Sequence, residues 1–179
     1  MDIEKYFQKH ISMVEKGNIM EIKKAADATI DVLKNKGTIY LCGNGGSAAD
    51  CNHLDGEFSS YGYRSKSLVA NPSTITAIAN DKSFDCIFSE QLYSASKNDI
   101  LYAFSTSGTS KNIIEAIKTA RKIGMKTVGF TSIKGKEMAG MVDCPIIAPT
   151  ENVQHAQEYH EICYHAIWLF IMETDGKKR

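Results

Sequence analysis

Two stretches of this chain are rich in groups suited to holding an anion. Gly43-Asn44-Gly45-Gly46-Ser47 follows the apolar run TIYLC, and Ser105-Thr106-Ser107-Gly108-Thr109-Ser110 follows DILYAF. Glycines let backbone N–H groups approach a phosphate closely, hydroxyls donate further hydrogen bonds, and a helix starting behind each loop adds positive potential. The second stretch has five hydroxyl residues in six positions, where capping a helix needs one. Gly43, Gly45 and Ala48 also fit the glycine spacing of a dinucleotide-binding turn. That motif needs an acidic residue near the end of the next strand, and Tyr61 through Pro72 contains none. No Gly-Lys-Ser/Thr follows either, so the expected ligand is a monophosphate or sugar phosphate.

Acid, imidazole and amide groups stand nearby in sequence. Asp50, His53 and Glu57 fall on the helix opened by the first loop, and His53 and Glu57, four apart, share a face. Gln157, His160 and His165 come late, with Gln157 and His165 two turns apart and roughly on one face. Imidazole, carboxylate and, less often, amide oxygen are zinc ligands. Without a metal, a carboxylate and an imidazole beside a bound sugar are able to move a proton between adjacent carbons. Blander readings exist for each: a solvated His–Glu face, satisfied core histidines at 160 and 165, and no signal from His10 or His155. Asn80-Asp81, after TITAIA, suits sugar hydroxyls or a plain helix end.

The elements that must position these groups follow from periodicity. Ile3, Phe7, Ile11 and Val14 share one helix face, and after Gly17-Asn18 so do Ile22, Ala26, Ile30 and Leu33. Strands are expected at 38–42, weakly at 67–70, at 99–104, at 126–131 and at 142–147. The last is an edge strand because Pro145 lacks an N–H. Helical patterns lie between them, clearest at 110–123, and a long helix closes the chain from about Asn152 to Thr174. Strands alternating with helices predict an α/β fold, a doubly wound parallel five-stranded sheet flanked by helices, with two leading N-terminal helices. These two and the closing helix exceed what the sheet needs for cover, and suit an outer layer or an oligomer interface.

Length and composition bound the rest. At 179 residues one domain is expected, with 1–36 a helical extension and 37–179 the α/β core. Lys plus Arg equals Asp plus Glu at 21 each, so bulk charge argues against a nucleic-acid or anionic-membrane binder. The uncharged apolar run from Ile162 to Met172 is shorter than the ~20 residues of a membrane span, and no signal peptide is evident. Five scattered cysteines without a CxxC pair suit a reducing compartment, so a soluble cytoplasmic protein is expected.

Taken jointly, CGNGGSAAD with His53 and Glu57 behind it, then IAND, STSGTS and QEYHEICYH, resembles the phosphoheptose isomerases of the sugar isomerase (SIS) domain family. The resemblance covers nearly the whole chain. It implies a flavodoxin-like doubly wound sheet and a homotetramer with active sites between subunits. The implied reaction interconverts sedoheptulose 7-phosphate and D-glycero-D-manno-heptose 7-phosphate through an enediol, toward nucleotide-heptose and surface polysaccharide synthesis. Carried over by position, the substrate loop falls on Asn44, Gly45 and Gly46 with Ser47 beside it, and the Asn-Asp pair on Asn80 and Asp81. The phosphate cradle falls on Ser105, Thr106, Ser107 and Ser110. One zinc per subunit falls on His53, Glu57, Gln157 and His165, with Glu57 and Gln157 also touching substrate. Glu57 and His165 are the expected proton-transfer pair.

Two stretches depart from the family pattern. Phe58-Ser59-Ser60-Tyr61 stands where a Gly-Arg is usual, and Gln154-His155-Ala156 where an Asp or Thr with Ala-Arg-Ile is usual. Both border the sugar's far end in the family, so isomerisation of another phosphosugar stays open. A non-catalytic relative that binds the bacterial replication initiator is a further alternative, disfavoured because Glu57, Gln157 and His165 are all present. A sugar-phosphate sensor is disfavoured because no helix-turn-helix fits in the first 37 residues.

Overall fold

The computed structural model describes residues 2–177. Met1 and Lys178–Arg179, included in the one-domain expectation, lie outside them. Two helices lead, α1 (Ile3–Glu15) and α2 (Ile19–Lys34), the second started by Asn18, whose side chain accepts from the Met20 N–H. Five strands follow: β1 (Ile39–Gly43), β2 (Ser65–Ser67), β3 (Ile100–Phe104), β4 (Lys126–Ser132) and β5 (Cys144–Ala148). Between and after them come α3 (Gly46–Ser60), α4 (Pro72–Asp81), α5 (Lys111–Ile123), α6 (Lys136–Ala139) and α7 (Val153–Thr174).

All pairings are parallel and the sheet order is β2-β1-β3-β4-β5. The order reverses between β1 and β3, so the loops leaving these two strands flank the crevice where ligands bind in doubly wound sheets. Strand side chains alternate between two cores. Ile39, Leu41, Tyr102, Phe104 and Phe130 pack with α2, α3 and α7, against Ala25, Leu54, Phe58, Tyr164 and Trp168. Tyr40, Cys42, Leu101 and Ala103 pack on the other face with Ile113 and Ile117 of α5 and with Phe88 and Leu92.

Three strands fall within one residue of expectation at each end, and two start two residues away from it. The second strand lies at Ser65–Ser67, not 67–70, because as an edge strand it needs apolar cover on one side only and its paired residues are largely polar. Leu68 still donates its N–H to the Leu41 carbonyl at 2.9 Å, and the chain then turns into Val69. The fifth strand begins at Cys144 because Asp143 is spent before it: its carboxylate accepts from the N–H and hydroxyl of Thr127, each at 2.8 Å. It is an edge strand, as Pro145 required. The helix at 110–123 and the closing helix fall where expected, α5 ending on Gly124 in the left-handed region (φ 89°) and α7 starting at Asn152, which accepts from His155 N–H.

His160 belongs to the core. It is fully buried, its Nε2 lies 2.9 Å from the Thr131 carbonyl, and burial pushes its pKa down to about 4. The unfolded chain binds that proton below its ordinary value of 6.5 and the folded chain does not. His160 therefore adds stability above pH 6.5 that is lost as pH falls toward 4, up to ~3 kcal/mol. Urea unfolding at pH 7 and pH 4.5 should show a larger drop for wild type than for His160→Met. Equal drops would mean that His160 is not the titrating group.

Candidate active site

The first loop is shaped by close approaches. A Cβ on Gly43 would stand 2.4 Å from the Ser47 carbonyl oxygen, and Gly45 has φ 58°. Gly45 occupies the cap position of α3 and no side chain caps that helix. Ser47 is buried, while Gly45 and Gly46 are exposed. Gln157, reaching over from α7, lays its amide on Gly46: a Cβ there would lie 2.3 Å from the Gln157 Nε2. Because that neighbour is the free end of a flexible side chain, Gly46→Ala should fold normally yet push the amide aside. Near-wild-type Tm with at least a tenfold lower kcat/KM, about 1.4 kcal/mol, is expected. Unchanged kinetics would show that the position of the amide is immaterial.

The second loop closes on itself through its hydroxyls. Ser105 donates to the Ser110 hydroxyl at 3.2 Å, its own oxygen accepts the Gly108 N–H at 3.1 Å, and Thr109 donates to Ser107 at 3.1 Å. Ser110 occupies the cap position of α5 but makes no capping hydrogen bond. Its hydroxyl faces the loop's other hydroxyls instead, which sets aside the reading of this stretch as a mere helix cap. Thr106 is partly exposed and its carbonyl accepts the Ser132 N–H at 3.2 Å, tying the loop to the end of β4.

Asn112 locks the two loops together. Its amide donates to the Asn44 Oδ1 and accepts from the Asn44 Nδ2, both at 2.9 Å, and its Oδ1 also accepts the Ile113 N–H. It is 2% exposed. Sequence reading missed it, because a lone Asn in a first helical turn looks like a surface residue until its partner, 68 positions away, is placed.

His53, Glu57 and His165 converge, with one ligand atom from each within 4.8 Å of the others. His53 Nε2 lies 3.7 Å from Glu57 Oε1, and the His53 and His165 rings are 5.0 Å apart and near-perpendicular. Behind them the Tyr164 hydroxyl sits 3.3 Å from His53 Nδ1, with Glu161 Oε1 3.7 Å from the same nitrogen. Metal–ligand bonds of 2.0–2.2 Å give a tetrahedral zinc site edges of about 3.4 Å, so the donor set and its spacing fit zinc. Of the two late histidines the fold thus buries one as core and turns the other to the acid. Asp50, one turn before His53, has an unpartnered buried oxygen, and burial, aided by Glu161 and opposed by His53, pushes its pKa up to about 6. Such a shift marks candidate functional groups, and sequence gave no sign of it. Asn80 and Asp81 end α4, exposed, with the Asn80 amide donating to Asp81 Oδ1 at 2.9 Å. Among the described residues no hydrogen bond ties them to the loops.

Residues 4–132 match the SIS domain family. The phosphoheptose isomerase of Aliarcobacter butzleri is 39% identical over 84% of this chain and 83% of its own length, and that of Campylobacter jejuni is 33% identical over 96% and 97%. The structure of the Neisseria gonorrhoeae phosphoheptose isomerase superposes with a TM-score of 0.90 at 33% identity, covering 96% of this chain and 97% of that one. A Francisella tularensis phosphoheptose isomerase superposes equally well (TM-score 0.90) at 28% identity, over 94% and 95%. The chain belongs to the SIS domain family and, within it, to the phosphoheptose isomerases.

Proposed function

We propose that the chain, working as one domain, converts sedoheptulose 7-phosphate to D-glycero-D-manno-heptose 7-phosphate, supplying nucleotide-heptose for surface polysaccharide. One observation carries the reading: two anion-suited loops, joined by the Asn44–Asn112 amide pair, flank the sheet's reversal point, and the helix opened by the first carries His53 and Glu57, which His165 of α7 joins.

The phosphate binds to the hydroxyls of Ser105, Thr106, Ser107 and Ser110 and to the uncapped start of α5, neutral donors replacing a Lys or Arg. Asn44, Gly45, Gly46 and Ser47 hold the sugar beside Gln157, and Asn80 and Asp81 grip its hydroxyls. This anchoring fixes the open-chain ketose so that its binding energy positions the reacting carbons. Glu57 takes the proton from C1, the electron pair forms the C1=C2 bond of the enediol, and the carbonyl oxygen gains a proton. His165 returns a proton to C2 as the C1 hydroxyl loses its own, which leaves the aldose. His53, Glu57, Gln157 and His165 would hold one zinc, which when bound polarises the carbonyl oxygen. A base that also binds metal must loosen its hold during turnover, so each residue's two tasks compete.

The active form is a homotetramer with sites at subunit interfaces. The apolar stripe of α1 supports this, since Ile3, Phe7 and Ile11 are 74%, 63% and 58% exposed in the single chain. We place the enzyme in the cytoplasm, where its five free cysteines stay reduced. The test is purified protein with sedoheptulose 7-phosphate, followed by NMR for aldose, with and without chelator, and its mass by sedimentation. Aldose formation that chelator abolishes supports the reading; no turnover by a folded, metal-loaded tetramer would overturn it.

A further inference from the structure

We infer that His10, His155 and Glu158 form a second site for a divalent transition metal ion, zinc foremost, that pins the first helix to the last. This goes beyond the isomerase reading, since none of the three residues has a part in it.

The geometry is that of a ligand set. His10 Nδ1 and His155 Nδ1 approach the same oxygen, Glu158 Oε2, at 3.0 and 3.2 Å. The three donor atoms all lie within 4.8 Å of one another. Both separations are within a few tenths of an ångström of the ~3.4 Å edge of a tetrahedral zinc site.

The neighbours are those that metal ligands need. His10 Nδ1 is shut off from solvent and, though 3.0 Å from the carboxylate, makes no hydrogen bond with it, so a buried nitrogen has an ion-pair contact but no hydrogen bond. An imidazole lone pair facing a cation removes that cost; a proton on the nitrogen does not. His155 is 5% exposed, and its ring stacks on Tyr6 at 4.2 Å and 26°, so its plane is fixed. The Tyr6 hydroxyl donates to Glu158 Oε1, the oxygen that faces away from the histidines. A second-layer hydrogen bond of this kind orients a ligating carboxylate.

Two imidazoles and a carboxylate leave a fourth position. A cavity of about 420 Å³, lined by Tyr6, His10, Glu158, Glu161 and His165 among others, opens beside them. Water fits that position. Structurally the ion would matter because α1 is weakly held: of its residues only Met13 is buried. Tyr6 and His10 are therefore its main polar ties to α7.

The test uses metal-stripped full-length protein, dialysed against excess-free Zn²⁺, with bound zinc counted by mass spectrometry in wild type, His10→Ala, His53→Ala and the double variant. Wild type should bind two ions per chain, each single variant one, and the double variant none. In the His53→Ala background zinc should raise Tm, and adding His10→Ala should abolish the rise while His10→Cys, which keeps a ligand, restores it. Matching far-UV spectra guard against misfolding. One ion in wild type, kept by His10→Ala and lost by His53→Ala, overturns this second site and leaves the first intact. One ion lost only by His10→Ala supports it and instead removes the zinc from the isomerase reading.

Discussion

Replacing Glu57 with Gln, or His165 with Ala, should lower kcat by roughly 10²–10⁴-fold, the usual contribution of a positioned acid or base. Gln is nearly isosteric with Glu, so the partly buried side chain keeps its place beside His53 and loses the ability to take a proton, along with the charge that would help to hold zinc. His165 packs edge-on against His53 and Tyr164 at 5.0 and 4.8 Å, and Ala there leaves a gap in the site wall but not in the main core. The loop proposed to anchor the phosphate is a different one, so KM should change far less than kcat, the pattern of an interaction made in the transition state. Zinc content must be counted in each variant. Loss of rate with zinc retained assigns the residue to proton transfer, and loss of both assigns it to the metal. Deuterium from D₂O should enter C1 of the recovered ketose in wild type and not in Glu57→Gln. Near-normal turnover in either variant would remove that residue from the reaction.

Gly108→Ala should be the most damaging small substitution in the loop proposed to hold phosphate. Gly108 has φ 67°, and a Cβ would stand 2.4 Å from the Gly135 Cα and 3.1 Å from its carbonyl carbon. The left-handed conformation costs an alanine ~1–2 kcal/mol, and the collision with backbone, which cannot rotate away, brings the total to roughly 3 kcal/mol or more. Gly135 has little room to retreat, because it is itself packed on Thr131. The loop must therefore move, and the Gly108 N–H loses its bonds to the Ser105 carbonyl and hydroxyl. A shift of about 1 Å in an anchor suffices for a ~10²-fold fall in kcat/KM. Thr109→Ala, next door and exposed, serves as the control, since its hydroxyl bonds only to Ser107 within the loop. Denaturant midpoints and kcat/KM for both variants check this; a Gly108→Ala protein as stable and active as the control would refute it.

What could be read directly from the residues was local or periodic. Apolar strands followed by Gly- and Ser/Thr-rich loops revealed the parallel sheet and the two loops that flank its reversal point, because each signal lies within a dozen residues. The His53–Glu57 pair was legible for the same reason: four residues make one helical turn. Spacing along one helix was equally unable to separate His160 from His165, as both sit in an apolar stretch. Only packing decided that one enters the core against Thr131 while the other turns toward His53. Asn112, the burial of Asp50 (named only as an acid on the first loop's helix) and the meeting of His10 with His155 and Glu158 were invisible for one physical reason. Their significance is in partners on other elements, or in burial, and neither is encoded in the neighbouring residues. The sequence determined which groups are present and which elements carry them. The tertiary structure alone decided which meet, since contacts between distant segments are fixed by how the two cores close on the sheet.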